Sequence, residues 1–88
     1  MNAWVVRFEP GAEKELGKLD ASIRGRIIRT LDAIAHLDDP RAQGKGLTGN
    51  LAGFWRYRIG DYRVICQLVA GELVILVVEV ARRREVYR

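Results

Sequence analysis

The pattern of apolar and polar positions along the 88-residue chain predicts two helices and four strands. Residues 3–8 are rich in β-branched and aromatic side chains, which favours a strand. Pro10 suits the first turn of a short helix that runs to about Lys18. After Asp20, a candidate N-cap, apolar residues at three- and four-residue spacing predict a longer amphipathic helix. These residues are Ile23, Ile27, Leu31, Ile34 and Leu37.

The second half of the chain predicts three strands that follow a loop. Segment 38–53 contains four glycines and one proline, which indicates a loop. Gly60-Asp61 and Ala70-Gly71 are two-residue hairpin signals. The order β-α-α-β-β-β predicts an α+β fold with two helices packed on a mainly antiparallel four-stranded sheet, in one domain of residues 1–88. The three later strands are predicted at 54–59, 62–69 and 72–80.

The Gly60-Asp61 turn predicts how the two strands beside it pair. It puts Ile59 opposite Tyr62 and therefore Arg58 opposite Arg63. Alternation assigns one set of side chains to the helix side: Trp55, Tyr57, Ile59, Tyr62, Val64, Cys66 and Leu68. The other face receives Phe54, Arg56, Arg58, Arg63, Ile65 and Gln67.

Three arginines on one face of two adjacent strands predict either a site for an anion or a solvated surface. Like charges directly opposite each other destabilise a sheet, so stability alone does not favour Arg58 across from Arg63. An anion held between them would relieve the repulsion. Alternatively, the long side chains splay into water while their stems cover apolar surface.

Positive charge is concentrated in the C-terminal part of the chain. The formal net charge is +4, from 15 Lys and Arg against 11 Asp and Glu, and twelve of the positive residues are Arg. Residues 54–88 hold seven arginines and four acids. Because the guanidinium fork matches phosphate oxygens, this bias favours an anionic partner, nucleic acid first. General solubility is the alternative explanation.

Several other functions are not indicated. The longest apolar run, Leu73–Val78, is too short to span a bilayer, and the N-terminus lacks a secretory pattern, so a cytoplasmic domain without membrane contact is expected. One Cys and one His argue against a disulfide framework and a zinc site, and no cofactor is predicted. Gly44-Lys45-Gly46-Leu47-Thr48-Gly49 matches a dinucleotide fingerprint in letters only, because a helix precedes it and a strand follows. Cys66 is interpreted as a core residue and His36 as a helix-end residue.

Two stretches of the chain resemble the RelE/ParE superfamily of bacterial toxins. They are R-x-G-D-Y-R-V-I, which begins at Arg58, and the closing R-R-x-E-V-Y, which ends at Tyr87. The resemblance implies a toxin of a type II toxin–antitoxin system. In the RelE branch such toxins are metal-independent endoribonucleases that cut mRNA in the ribosomal A site. In the ParE branch they inhibit DNA gyrase, and a third alternative is an inert homologue that only binds an antitoxin.

The resemblance also implies site residues. The catalytic positions of RelE-type toxins correspond to Arg56, Arg63, Arg83 and Tyr87, with Arg82 and Arg83 able to exchange roles. Phe54 stands where the type enzyme has a basic residue. Further candidates for RNA binding are Lys45, Arg58, Arg82 and Arg84.

The implied partners are a cognate antitoxin, the ribosome and its mRNA, with operator DNA reached only through the antitoxin. The antitoxin is expected to lay a helix across the helices of the toxin or on an apolar patch of the sheet. The patch is predicted to consist of Ile65, Val74, Leu76 and Val78.

Overall fold

The computed structural model describes residues 3–82, which form two helices on one side of a five-stranded sheet. The strand order is β1-β5-β4-β3-β2, with β1 parallel to β5 and the other neighbours antiparallel. The predicted α+β arrangement is confirmed, and the prediction of four strands is wrong by one. The elements are β1 Val5–Phe8, α1 Pro10–Gly17, α2 Ala21–Ala35, β2 Lys45–Gly46, β3 Trp55–Ile59, β4 Tyr62–Val69 and β5 Val74–Arg82. Two short 3-10 turns occur at Pro40–Ala42 and Gly49–Leu51.

Side-chain caps define both ends of α2. The Asp20 carboxylate accepts hydrogen bonds from the hydroxyl and the backbone N–H of Ser22, at 2.6 and 3.2 Å. These bonds hold the pKa of Asp20 below its usual value. At the other end, His36 Nδ1–H donates to the Asp32 carbonyl at 2.8 Å, so this histidine caps the helix as predicted.

The core lies between the helices and one face of the sheet. Ile27 and Leu31 of α2 are fully buried, and so are Val64 and Ile75 of the sheet. The N-terminal strand is tied to the same layer, because the Trp4 backbone N–H donates to the Ala35 carbonyl at 2.9 Å. The helix-side face predicted for the β3–β4 hairpin is therefore the core face.

The short strand β2 lies within the predicted loop 38–53. It is paired with β3, Lys45 opposite Arg56 and Gly46 opposite Trp55. A strand of two residues carries no apolar alternation, so periodicity does not reveal it. Its pairing depends on tertiary contacts, notably the hydrogen bond from Leu47 N–H to the Phe54 carbonyl at 3.0 Å.

The turn between β4 and β5 is longer than predicted. Val69 pairs with Val74, so four residues, 70–73, form the turn instead of Ala70-Gly71 alone. Leu73 adopts a φ of 55°, which side-chain-bearing residues rarely adopt. Its partly buried side chain packs against the core, and this contact offsets the backbone strain.

A β-bulge in β5 changes the faces of its last residues. Cys66 pairs with Val77 but Ile65 pairs with Glu79, so Val78 is an extra residue. Because of the bulge, Val77 and Val80 are both buried, while Glu79 between them is exposed.

The apolar patch predicted for the antitoxin is only partly present. Ile65 and Val74 are buried, at 2% and 9% exposure, so the prediction is wrong for these two residues. Leu76 and Val78 are half-buried. Within residues 3–82, neither helix has the length and apolar character needed to cross a membrane.

The neighbouring isoleucines of α2 allow a matched test of the packing. Ile27→Ala is expected to lower the free energy of unfolding by about 2–5 kcal/mol, because Ile27 is 0% exposed and its truncation leaves a cavity. Ile28→Ala removes the same atoms from a residue that is 45% exposed and should change stability by about 0.5 kcal/mol or less. Urea unfolding of both variants gives the comparison. Equal losses would contradict the packing described here.

Candidate nucleic-acid interface

Three arginines lie together on the sheet surface that faces away from the helices. Arg58 of β3 is directly opposite Arg63 of β4, and Arg56 is opposite Ile65, as the hairpin turn predicts. The opposite face of the same ribbon is buried, so alternation directs the arginines to the open side. We call the three residues Arg56, Arg58 and Arg63 the arginine face.

Two atoms of the arginine face lack hydrogen-bond partners. Arg56 and Arg63 are half-buried, and the Nε of each is shielded from solvent without an acceptor among the described residues. Buried donors without acceptors are rare in proteins and need an explanation. Two of them on neighbouring strands are consistent with an acceptor that another molecule supplies, such as an anion.

The arginine face is not neutralised by described carboxylates. The ion pairs found within residues 3–82 are Lys18–Glu15 and Arg41–Asp39, both remote in sequence from these arginines. Glu79 lies on the same side of the sheet opposite Ile65, but it forms no ion pair within 4 Å with a described arginine. Among residues 3–82 the surface therefore carries an excess of positive charge, which attracts anions.

Lys45 joins the arginine face because β2 pairs with β3. It lies directly opposite Arg56 and is exposed.

Two side chains of β3 hold the loop before β2 in place. Trp55 Nε1–H donates to the Gln43 carbonyl at 2.7 Å, and the Tyr57 hydroxyl donates to the Pro40 carbonyl at 2.8 Å. Burial raises the pKa of Tyr57, so its hydroxyl remains a donor.

Gly44 allows the loop to approach β3 closely. Its φ is +75°, and a Cβ at this position would lie 2.4 Å from the backbone oxygen of Arg56. No L side chain fits that space without displacing the loop. Gly44 therefore positions Lys45 beside the arginine face.

Arg82 does not lie on the arginine face. It pairs with Tyr62, so its side chain belongs to the helix side of the sheet. Without the bulge at Val78, alternation would put it with the arginines. The sequence contains one indication of this bulge, the segment Val77-Val78-Glu79-Val80. Strict alternation there would bury the Glu79 carboxylate together with Val77.

The remaining predicted site residues, Arg83, Arg84 and Tyr87, lie outside the described residues and stay predictions.

Cys66 is fully buried, and burial raises the pKa of its thiol to about 12, so it is a core residue and not a nucleophile at neutral pH. The described chain also holds no group of three or more His, Cys, Asp or Glu side chains that could bind a metal. Within residues 3–82, the chemistry available at the arginine face is binding and charge stabilisation of an anion.

These features define a small α+β domain whose arginine face is not neutralised by carboxylates within residues 3–82. Residues 6–87 match the family described as "ParE toxin of type II toxin-antitoxin system, parDE". The chain therefore belongs to this family, within the RelE/ParE toxin superfamily.

Individual relatives agree with this assignment. Toxin RelG of Mycobacterium tuberculosis is 29% identical over 86 residues, 97% of each chain. Among solved structures, the toxin–antitoxin complex RelBE2 from the same organism contains a chain with a TM-score of 0.84 and 26% identity, with 94% of both chains covered. The archaeal RelE–RelB complex from Pyrococcus horikoshii contains one with a TM-score of 0.71 and 26% identity, covering 92% of this chain and 96% of that chain.

Two glycines with similar backbone conformations test the role of the loop. Gly44→Ala and Gly49→Ala both force an alanine into the left-handed region, at a cost of about 1–2 kcal/mol. Only Gly44→Ala adds a clash, because nothing lies within 4 Å of a Cβ at Gly49. Urea unfolding should therefore show a larger loss of stability for Gly44→Ala. A loss no greater than that of Gly49→Ala would show that the close approach to β3 is unimportant.

The facing pair Arg58 and Arg63 predicts a substitution that stabilises the fold. Arg58→Gln removes the like-charge repulsion and keeps most of the aliphatic stem, so we expect a gain of about 0.2–1 kcal/mol at low salt. The gain should shrink at about 1 M salt, where the charges are screened. Arg7→Gln, at an exposed position opposite Leu76, is the matched control and should leave stability unchanged. A destabilised Arg58→Gln protein, or a gain independent of salt, would refute the repulsion.

Proposed function

We propose that this protein is the toxin of a type II toxin–antitoxin system and acts as a ribosome-dependent mRNA endoribonuclease. The observation that carries the proposal is the arginine face, with two shielded Nε atoms that have no acceptor among residues 3–82. Arg56 and Arg63 are two of the positions that the resemblance to RelE-type toxins assigns to catalysis, and they lie on one surface of adjacent strands.

The proposed reaction uses the 2′-hydroxyl of the RNA as the nucleophile. Its oxygen bonds to the adjacent phosphorus while the bond from phosphorus to the 5′-oxygen breaks, leaving a 2′,3′-cyclic phosphate. The proton of the 2′-hydroxyl goes to a base, and the departing 5′-oxygen receives a proton. No metal is required, since the substrate supplies the nucleophile and guanidinium groups stabilise the charge that develops on the phosphorane.

Each candidate residue has a role in this scheme. Arg56 and Arg63 stabilise the phosphorane, Tyr87 accepts or positions the proton of the 2′-hydroxyl, and Arg83 donates a proton or further charge stabilisation. The binding of neighbouring phosphates falls to Lys45, Arg58 and Arg84. The unperturbed pKa values of Tyr and Arg, about 10 and above 12, are poorly matched to proton transfer at neutral pH. Positioning of the mRNA by the ribosome therefore supplies much of the rate, and free RNA should be cut slowly.

A cognate antitoxin is the proposed protein partner. The similar chains from Mycobacterium tuberculosis and Pyrococcus horikoshii were solved as toxin–antitoxin and RelE–RelB complexes. We propose that acidic residues of an antitoxin neutralise the arginine face and that operator DNA is contacted only through the antitoxin. This function places the protein in the cytoplasm, where translating ribosomes are found.

A second candidate is a gyrase inhibitor without chemistry of its own. It is favoured by the family description, which names ParE toxins. The arginine face favours the nuclease, because charge stabilisation at a scissile phosphate needs several guanidinium groups at one place. An inert homologue that only binds the antitoxin is the remaining alternative, and it should leave growth untouched when expressed alone.

The experiment that separates these functions runs two assays on the same protein. Purified toxin is added to translating ribosomes, where the 5′ ends of the mRNA are mapped, and to a gyrase supercoiling reaction. We expect mRNA cleavage and normal supercoiling. Arg63→Ala and Tyr87→Phe should each lose most cleavage, and Arg7→Ala, which removes one positive charge from the same side of the sheet, should retain it.

Three results would contradict the proposal. Inhibited supercoiling without mRNA cleavage would establish the gyrase function instead. Full mRNA cleavage by both Arg63→Ala and Tyr87→Phe would refute the proposed mechanism. Absence of cleavage, of gyrase inhibition and of any growth defect would identify an inert homologue. Unfolding curves that match the parent protein are needed for each variant, so that lost activity is not lost folding.

A further inference from the structure

A second group of basic residues surrounds the tip of the β3–β4 hairpin on the helix side. Arg26 of α2 and Arg82 at the end of β5 line one cavity of about 200 Å³ with Asp61 and Tyr62. Its apolar walls are Ile23, Ile27 and Ile59. We call this cavity the tip cleft.

The tip cleft is separate from the arginine face. Arg82 pairs with Tyr62 and shares its side of the sheet, whereas Arg58 and Arg63 point to the opposite side. The two sites therefore meet only at the Gly60-Asp61 turn. One bound group cannot occupy both, because the hairpin backbone lies between them.

Arg26 lies close to the turn backbone. A Cβ placed on Gly60 would be 3.0 Å from Nη1 of Arg26, and Gly60 has a φ of +60°. A glycine at this position thus provides the backbone conformation of the turn and also the space beside the guanidinium. A larger residue would require Arg26 to move.

The charges in the tip cleft are not balanced. Two guanidinium groups face one carboxylate, Asp61, and neither Arg26 nor Arg82 forms an ion pair with a described acid. Arg26 and Arg82 are both exposed, so an anion from the solvent can reach their guanidinium groups. Arg guanidinium forks are suited to phosphate oxygens.

We propose that the tip cleft binds a backbone phosphate of RNA at a distance from the phosphodiester that is cleaved. The choice of RNA as the ligand rests on the proposed function. The cleft gives the protein a second place, besides the arginine face, at which it binds the RNA backbone. The cleft lies on the opposite side of the sheet from Arg56 and Arg63, to which the proposed mechanism assigns charge stabilisation, so its phosphate is not the one that is cleaved. Arg26 and Arg82 are therefore positioning residues.

Direct binding of RNA tests the proposal without cleavage. The full-length protein is titrated into a short fluorescein-labelled oligouridylate whose 2′-hydroxyls are methylated, and anisotropy gives the Kd. Arg26→Ala and Arg82→Ala should each raise the Kd about tenfold, as loss of one charge-assisted contact implies. Each should also reduce the slope of log Kd against log salt by about 0.7, the value for one phosphate of a single strand.

Arg29→Ala is the matched control. Arg29 is exposed on the same helix and does not line the tip cleft, so its removal lowers the net charge equally. It should raise the Kd less than twofold. Arg26→Lys keeps the charge but lacks the guanidinium fork, so its Kd should lie between those of the parent protein and Arg26→Ala.

Three outcomes would overturn the proposal. Equal losses for Arg26→Ala, Arg82→Ala and Arg29→Ala would show that only total charge matters. Unchanged RNA binding by the two cleft variants would show that no phosphate is held there. Unchanged RNA binding together with weaker antitoxin binding would make the cleft a protein contact.

Failure of the proposed function is a different result. Suppose that the parent protein does not cut mRNA on ribosomes, but that the two cleft variants still bind RNA about tenfold more weakly than the parent and Arg29→Ala less than twofold. The RNA site in the tip cleft is then supported and the nuclease function is refuted. If the parent protein cuts mRNA and the cleft variants bind RNA as tightly as the parent does, the nuclease function is supported and the RNA site in the tip cleft is refuted.

Discussion

The two-residue turn at Gly60-Asp61 is the constraint on which the candidate site depends. It pairs Ile59 with Tyr62, and every later pair of the β3–β4 ribbon follows from that one. A slip of one residue would exchange the two faces of a strand, so arginines would enter the core and apolar side chains would leave it. The position of Arg58 opposite Arg63 is a consequence of this register and not of any attraction between them.

Burial on the core face outweighs the repulsion on the arginine face. Like charges in direct opposition cost about 0.2–1 kcal/mol. Full burial of one large apolar side chain contributes about 1.5–3 kcal/mol, and the same ribbon buries Tyr57, Ile59 and Val64. The fold can therefore maintain an unfavourable pair on its open surface. A surface that binds anions requires such uncompensated positive charge, because arginines paired with carboxylates of the same chain would have little affinity for an anion from another molecule.

The predictable parts of the molecule are those that local rules determine. Asp20 has a side chain that caps N-termini well, and the residues after it have a helical period, so α2 could be predicted. The hairpin register follows in the same way from turn length and alternation. These rules also suffice to assemble the arginine face from Arg56, Arg58 and Arg63.

The parts that could not be predicted depend on contacts between distant segments. The pairing of β2 relies on Gly44 lying against the backbone of Arg56, twelve residues later in the chain. The four-residue turn at 70–73 requires Leu73 to accept a strained backbone in return for a contact with the core. Arg83 and Tyr87 were assigned by resemblance alone, since local patterns do not identify them as catalytic.

The bulge at Val78 decides where the charge at the end of β5 emerges. The residues Val77-Val78-Glu79-Val80 conflict with simple alternation, which would bury the Glu79 carboxylate beside Val77 and expose Val80. The extra residue resolves the conflict, because Val77 and Val80 then both reach the core and Glu79 remains in solvent. The same shift moves Ala81 to the arginine side opposite Arg63 and Arg82 to the helix side opposite Tyr62. Core packing thus places Arg82 on the helix side of the hairpin tip, while Arg58 and Arg63 lie on the other side. Without the bulge, all three arginines would lie on the same side of the sheet.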